Sequence, residues 1–159
     1  MRPRVRIATV VVVLVTLLLT IVPAAPAAAA LPTCTGFSQT YWAELERMFY
    51  VPSLGDQTKN YNCKLQRGDG YSGGGTRAAV YILQGNLRAC NGAGWMAQDG
   101  LYGRDTEAVV TWVQAASGRV AVDGIYGPQT GLWAMRWAGY FYEHGVRTYA
   151  CYWHVPFLI

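Results

Sequence analysis

The sequence predicts a mainly α fold: a compact three-helix bundle with an N-terminal helical extension, a C-terminal aromatic tail and two disulfides. Three observations predict it. Apolar residues recur at helical spacing in three segments between residues 76 and 140. Glycine-rich turns separate those segments. An octet, DGLYGRDT at 99–106, has a near-copy, DGIYGPQT at 123–130, and each copy sits just before a helical segment.

The chain opens with a basic MRPRVR, an apolar IATVVVVLVTLLLTIV and a small-residue PAAPAAAA. That order is the signature of a secretory signal peptide, with cleavage expected after Ala30. Pro23 and Pro26 interrupt the apolar run and argue against a membrane anchor. Pro32 and Thr33 are poor residues before a lipidated Cys34. The expected location is therefore outside the cell, with no membrane association after cleavage.

Residues 31–73 form a cysteine-bounded extension and a Gly-rich connector. Within them SQTYWAELERMFY reads as a helix, with Ser38 as N-cap and Trp42, Leu45 and Phe49 at helical spacing. Glu44 and Glu46 lie two apart and would point to different helix faces, so they are a poor catalytic pair. The glycines from Gly68 to Gly75 read as a flexible connector.

The main domain is placed at 74–138. Its first helix carries Ala79, Val80, Leu83 and Leu87 on one face, with Thr76 as a cap. Its second, RDTEAVVTWVQAASG, turns Val109, Val110 and Val113 inward and stops at Gly118. Its third, PQTGLWAMRWAGY, starts at Pro128, whose missing N–H costs nothing at the first helical position. Residues 139–159 are a tail dense in aromatics, expected to pack on the domain.

About 130 residues remain after cleavage, enough for one small domain with a marginal core. Cys34, Cys63, Cys90 and Cys151 make an even count in an exported chain and read as two disulfides. Three pairings are possible; locality favours Cys34–Cys63 with Cys90–Cys151. No short Cys pair suits a metal, and His144 and His154, ten apart, add none. The expectation is no metal and no cofactor. Thirteen Lys and Arg face nine Asp and Glu, but Arg2, Arg4 and Arg6 leave with the signal. Ten against nine is no footprint for nucleic acid.

The octets can be read as turn chemistry. An Asp before a Gly can bond its own downstream N–H groups, and the Gly takes positive φ cheaply. Asp99, Gly100 and Gly103, and in the second copy Asp123, Gly124 and Gly127, are thus structural turn residues. Asp105 and Glu107 add negative charge at the positive end of the second helix.

In register, these residues resemble the peptidoglycan-binding domain of the three-helix kind, found on bacterial wall hydrolases. Val80, Leu83, Gln84 and Leu87 match that family's first helix, and Asp99, Gly100, Leu101, Tyr102, Gly103 and Thr106 its middle segment. Val109, Val110, Val113 and Gln114 follow, and Asp123, Gly124, Ile125, Tyr126, Gly127, Pro128 and Thr130 close the pattern. The chain departs from it in one extra residue between Gly118 and Asp123 and in Val113, where Phe is usual. Small exported actinobacterial proteins with flanking cysteines look similar over the whole mature length.

The resemblance implies noncovalent binding to peptidoglycan, through a glycan strand or its peptide stems, without catalysis. Trp95, Tyr102, Arg104, Trp112, Tyr126 and Gln129 are the candidate ligand contacts, because aromatic faces can stack on sugar rings while amide and guanidinium groups bond polar substituents. Gln84 and Gln114 read instead as partners of helix-end backbone. The alternative is an interaction or inhibitor protein that binds a secreted partner such as a wall hydrolase, motivated by the apolar tail. A wall hydrolase is the weaker reading, since no convergent catalytic set is present.

Overall fold

A computed structural model of the chain describes residues 30–155 and 158. The signal-peptide segment lies almost wholly outside the described residues. The element order is β1 (Gly36–Trp42), β2 (Arg47–Ser53), α1 (Gly74–Cys90), α2 (Arg104–Ser117), α3 (Pro128–Trp133), β3 (Trp137–Glu143) and β4 (Val146–Tyr152). The strands form one antiparallel sheet in the order β1-β2-β3-β4. The fold is therefore not mainly α, and the helices are one side of a helix-and-sheet structure.

The extension folds as a β-hairpin where a helix was expected. Leu45 falls in its turn, closed by Leu45 N–H to Trp42 O at 3.2 Å and Glu46 N–H to Ala43 O at 3.3 Å. Trp42 and Phe49 still pack together, ring centroids 6.1 Å apart, because the pairing brings them close across the strands. Ser38 caps nothing; its hydroxyl donates to Ser53 Oγ at 3.0 Å inside the core. Seven-residue strands rich in Phe, Thr, Tyr and Val satisfy the β preference of these side chains.

The tail also pairs into a hairpin. A two-residue loop, His144 at φ 50° and Gly145 at φ 79°, joins β3 to β4, and two left-handed residues match the twist of the flanking strands. The third helix is correspondingly shorter than its sequence suggests, ending at Trp133. Beyond it, backbone groups are diverted to two asparagines of the first-helix region. Asn91 Oδ1 accepts Arg136 N–H at 2.9 Å, and Asn86 Oδ1 accepts Ala138 N–H at 3.0 Å. Asn86 Nδ2 also donates to Tyr50 O at 3.1 Å, so one amide bridges β2 and β3 where the two hairpins part. Trp137 Nε1 donates to Gly131 O at 2.7 Å, which fixes the start of β3 against α3.

Phe49, Val51, Leu83, Leu87, Val110, Val113, Tyr126 and Trp137 belong to one continuous buried core shared by helices and sheet. Two disulfides staple it. Cys34–Cys63 closes the N-terminal loop, and Cys90–Cys151 ties the end of α1 to β4. Loop entropy puts these at about 3.6 and 4.3 kcal/mol respectively. The Gly-rich stretch before α1 is pinned rather than a free connector. Gly68 N–H donates to Tyr102 O at 3.0 Å, and Tyr102 N–H to Asp69 O at 2.9 Å. Gly70 lies so close to the Gly100 carbonyl that any Cβ there would collide with it. Thr76 lies inside α1, whose N-cap is Gly73 with no side-chain bond.

Candidate functional site

The two octets are built around two glutamines. Gln84, buried in α1, accepts Asp99 N–H at 3.0 Å and Gly100 N–H at 2.8 Å on its Oε1. Its Nε2 lies within donating distance of Asp99 Oδ1, Leu101 O and Thr106 Oγ1, at 3.0, 3.1 and 3.1 Å. Gln114, buried in α2, repeats the set. Its Oε1 accepts Asp123 N–H at 3.1 Å and Gly124 N–H at 2.9 Å, and its Nε2 faces Asp123 Oδ1, Ile125 O and Thr130 Oγ1 at 2.9, 2.9 and 3.0 Å. In each turn the Asp also accepts the N–H two residues on, Leu101 or Ile125, at 2.9 Å. The glycine between has φ 76° or 70°, a conformation that favours a residue without Cβ.

The spacing of the repeat is thus the spacing of a glutamine-centred turn that launches a helix. Its polar atoms are spent on one another. The hydrogen bond from Gln84, then that from Leu101 N–H, holds the Asp99 carboxyl below the usual carboxylate range. The first turn leans on the second through Tyr102, whose hydroxyl donates to Gly124 O at 2.8 Å.

Tyr102 and Tyr126, both candidate ligand contacts in the sequence, are buried at 0% and 1% exposure. Burial pushes both phenols up, far from any titration in the physiological range. Tyr126 packs edge-on against Trp137, centroids 6.3 Å apart, and its backbone pairs with Leu65 at 2.9 Å in both directions. Both rings are core, and neither is presented to a ligand. The reason is the turn itself: each Gly-x-Tyr places the ring toward the adjacent element and not toward solvent.

Trp95 and Trp112 behave differently. They are 68% and 58% exposed, and they flank one open groove of about 280 Å³. Buried Ala93 and Val109 and exposed Ala108 line it, with Asn91 and Gly92 just after α1. The loop that carries Trp95 is fixed from below: Met96 N–H donates to Ala93 O at 2.9 Å, and the Arg88 guanidinium donates to Met96 O. Asn91 is itself buried, held by Asn86 O and Arg136 O at 2.9 Å each. Trp112 projects from α2 beside Gly92. Two indoles on a pinned loop and a rigid helix therefore make a preformed apolar groove.

Arg104 is exposed at the start of α2 and borders a separate shallow depression with Tyr71, Met96 and Asp99. Gln129 is exposed in the first turn of α3. The structure thus joins two of the six candidates in one groove, sets Arg104 and Gln129 apart on the surface, and withdraws the two tyrosines. The groove floor was missed in the sequence. Its only signal, the NGAG that ends α1, reads there as a helix stop.

Among the described residues no three His, Cys, Asp or Glu side chains gather where they could hold a metal ion. His154 instead stacks edge-on to Trp133 at 5.2 Å. Among the described residues no helix is long and apolar enough to cross a membrane.

Residues 76–131 match the model of a family described as "Putative peptidoglycan binding domain". The match spans α1, α2, both glutamine-centred turns and the first turn of α3, with Trp95 and Trp112 inside it. The matched segment covers about a third of the chain. No curated protein and no solved structure matches the chain.

Proposed function

We propose that this chain, which carries a peptidoglycan-binding-family domain, is an exported protein that binds the cell wall without catalysing its breakdown. It holds a glycan strand of peptidoglycan between Trp95 and Trp112. The observation that carries this reading is the pair of exposed indoles flanking a preformed groove inside the matched domain. A pyranose ring offers a C–H-rich face that can stack on an indole, and the shallow apolar floor leaves room for the acetamido methyl groups. Rigid flanking rings lose little entropy on binding, which favours affinity at a small site.

Export is supported by the basic, apolar and small-residue order of the first thirty residues and by four cysteines in two disulfides. The non-catalytic reading is supported by how the conspicuous polar groups are occupied. Gln84, Asp99, Thr106 and their second-copy equivalents are bonded to one another, and the groove is lined by Asn91, Gly92, Ala93, Trp95, Ala108, Val109 and Trp112, none of them a nucleophile or an acid–base group. The test is incubation of the purified mature chain with insoluble peptidoglycan. The protein is expected in the pellet, with no soluble fragments released; a supernatant rich in wall fragments would overturn the non-catalytic reading. Protein left in the supernatant would overturn wall binding.

A further inference from the structure

The sheet presents a second surface whose chemistry nothing above uses. By strand register, Tyr50, Tyr140 and Tyr149 lie on one face, and Phe37 joins them from β1. Their rings touch in sequence across all four strands: Phe37 to Tyr50 at 6.3 Å, Tyr50 to Tyr140 at 5.6 Å and Tyr140 to Tyr149 at 5.9 Å. The Arg147 guanidinium lies over this row, 4.3 Å from the Tyr140 centroid and 5.5 Å from Tyr50. Among the described residues Arg147 has no carboxylate within ion-pair distance and its N–H groups donate no hydrogen bond to protein. Cation–π stacking uses the face of the guanidinium and leaves its edge of donors outward.

Tyr50, Tyr140 and Arg147 form the shared wall between two clefts. One, of about 300 Å³, continues toward Tyr81 and Gln98; the other, of about 470 Å³, continues toward Tyr41 and Tyr142. Tyr41, Tyr81, Tyr142 and Tyr149 are exposed by 57%, 48%, 75% and 47%. The second cleft holds Arg47 and one carboxylate, Glu46, so its charge stays positive with Arg147 counted. Both volumes fall in or near the lower range of ligand sites.

We propose that this face is a second binding site, for a saccharide that carries a carboxylate. An occupant must lay C–H faces on tyrosine rings, offer hydroxyl or amide groups to phenols, and bring an anion to the fork of Arg147. A sugar ring with a carboxylate substituent does all three, and a guanidinium held by stacking is pre-oriented to bind that carboxylate in two-point fashion. The site goes beyond the wall-binding reading: its key residues lie outside 76–131, and it does not depend on Trp95 or Trp112.

The experiment follows backbone amide and arginine side-chain shifts by NMR on the full mature chain. The two probes are N-acetylglucosaminyl-N-acetylmuramic acid and the neutral N,N′-diacetylchitobiose. The acidic disaccharide is expected to shift the Arg147 Nε–H and the amides of Tyr140 and Tyr149, with at least tenfold weaker binding by the neutral one. Arg147→Gln should abolish the Tyr140 and Tyr149 amide shifts while leaving shifts around Trp95 unchanged. In Trp95→Ala/Trp112→Ala the Arg147 shifts should persist. Silence at Arg147 with the acidic disaccharide overturns the second site whatever happens at the groove, as does equal binding of both probes there. Silence at the groove alone counts against the Trp95–Trp112 groove as the glycan site and leaves the second site supported.

Discussion

The two glutamine-centred turns and the Trp95–Trp112 groove lie within one domain and are opposites in every physical respect. The turns are polar, largely buried and internally satisfied, with Gln84 and Gln114 each at 1% exposure. The groove is apolar and open, flanked by two indoles with most of their surface in water. The turns carry the residues by which the family is recognised, whereas the groove carries surface that a ligand can reach. The difference teaches that a recurring motif can mark the scaffold of a binding domain without containing its contacts. Asp, Gly, Tyr and Thr recur because a turn needs them, and the tryptophans are placed by what the turns hold rigid.

Breaking a turn should produce the largest effect. Gln84→Ala removes the acceptor of Asp99 and Gly100 N–H and the donor to Leu101 O and Thr106. Buried groups left without partners cost about 1–3 kcal/mol each, so a loss of about 3 kcal/mol is expected in urea unfolding. Gln84→Glu should be nearly as harmful, since it swaps the donor for a second anion beside Asp99 Oδ1. A loss below about 1 kcal/mol in either variant would show that the network is not what holds the turn.

Tyr102→Phe should come next. It leaves the ring in place and deletes only the hydroxyl bond to Gly124 O at 2.8 Å. A loss of about 1 kcal/mol is expected by chemical denaturation, with unchanged wall binding, because the ring faces the core. Weakened binding at unchanged stability would return Tyr102 to the list of ligand contacts.

The difference between turn and groove was unevenly legible in the sequence. The helices and turns could be read because Val80, Leu83 and Leu87, and then Val109, Val110 and Val113, keep helical spacing. The hairpins could not, for a specific reason. The core face of β1 is Gly36, Ser38 and Thr40, while Phe37 and Tyr41 lie on its other face. Buried hydroxyls take the place of apolar side chains there, with Ser38 bonded to Ser53 at 3.0 Å and Thr40 to Tyr61 at 2.6 Å. The expected alternation is therefore absent, and Trp42, Leu45 and Phe49 alone fit a helix as well as a hairpin. In β3 both faces are aromatic or small, and only the His144–Gly145 pair signals the turn. Of the groove, the exposed tryptophans were legible as candidates and their juxtaposition was not, since it depends on the loop after α1.

The smallest effect concerns acid. The folded-state pKa of Asp99 is lowered, so its contribution to stability is full above the ordinary value of 3.8 and is lost as pH falls through the folded value. Asp99→Asn should lower neutral stability modestly and flatten the stability profile below that pH, so that variant and parent converge in acid. Because the carboxyl is solvent-facing, the effect should be modest, and a steep change near pH 7 would contradict the assignment.

The central claim is that the tryptophans bind and the turns only support them. Isothermal titration with soluble glycan strands released from peptidoglycan, comparing the parent chain with Trp95→Ala/Trp112→Ala, tests it most directly. The exposed positions should cost no more than about 0.5 kcal/mol of stability each, so the variant stays folded. The account predicts at least a tenfold loss of affinity with a thermal transition close to the parent's. Affinity equal to the parent's in a fully folded variant would contradict it.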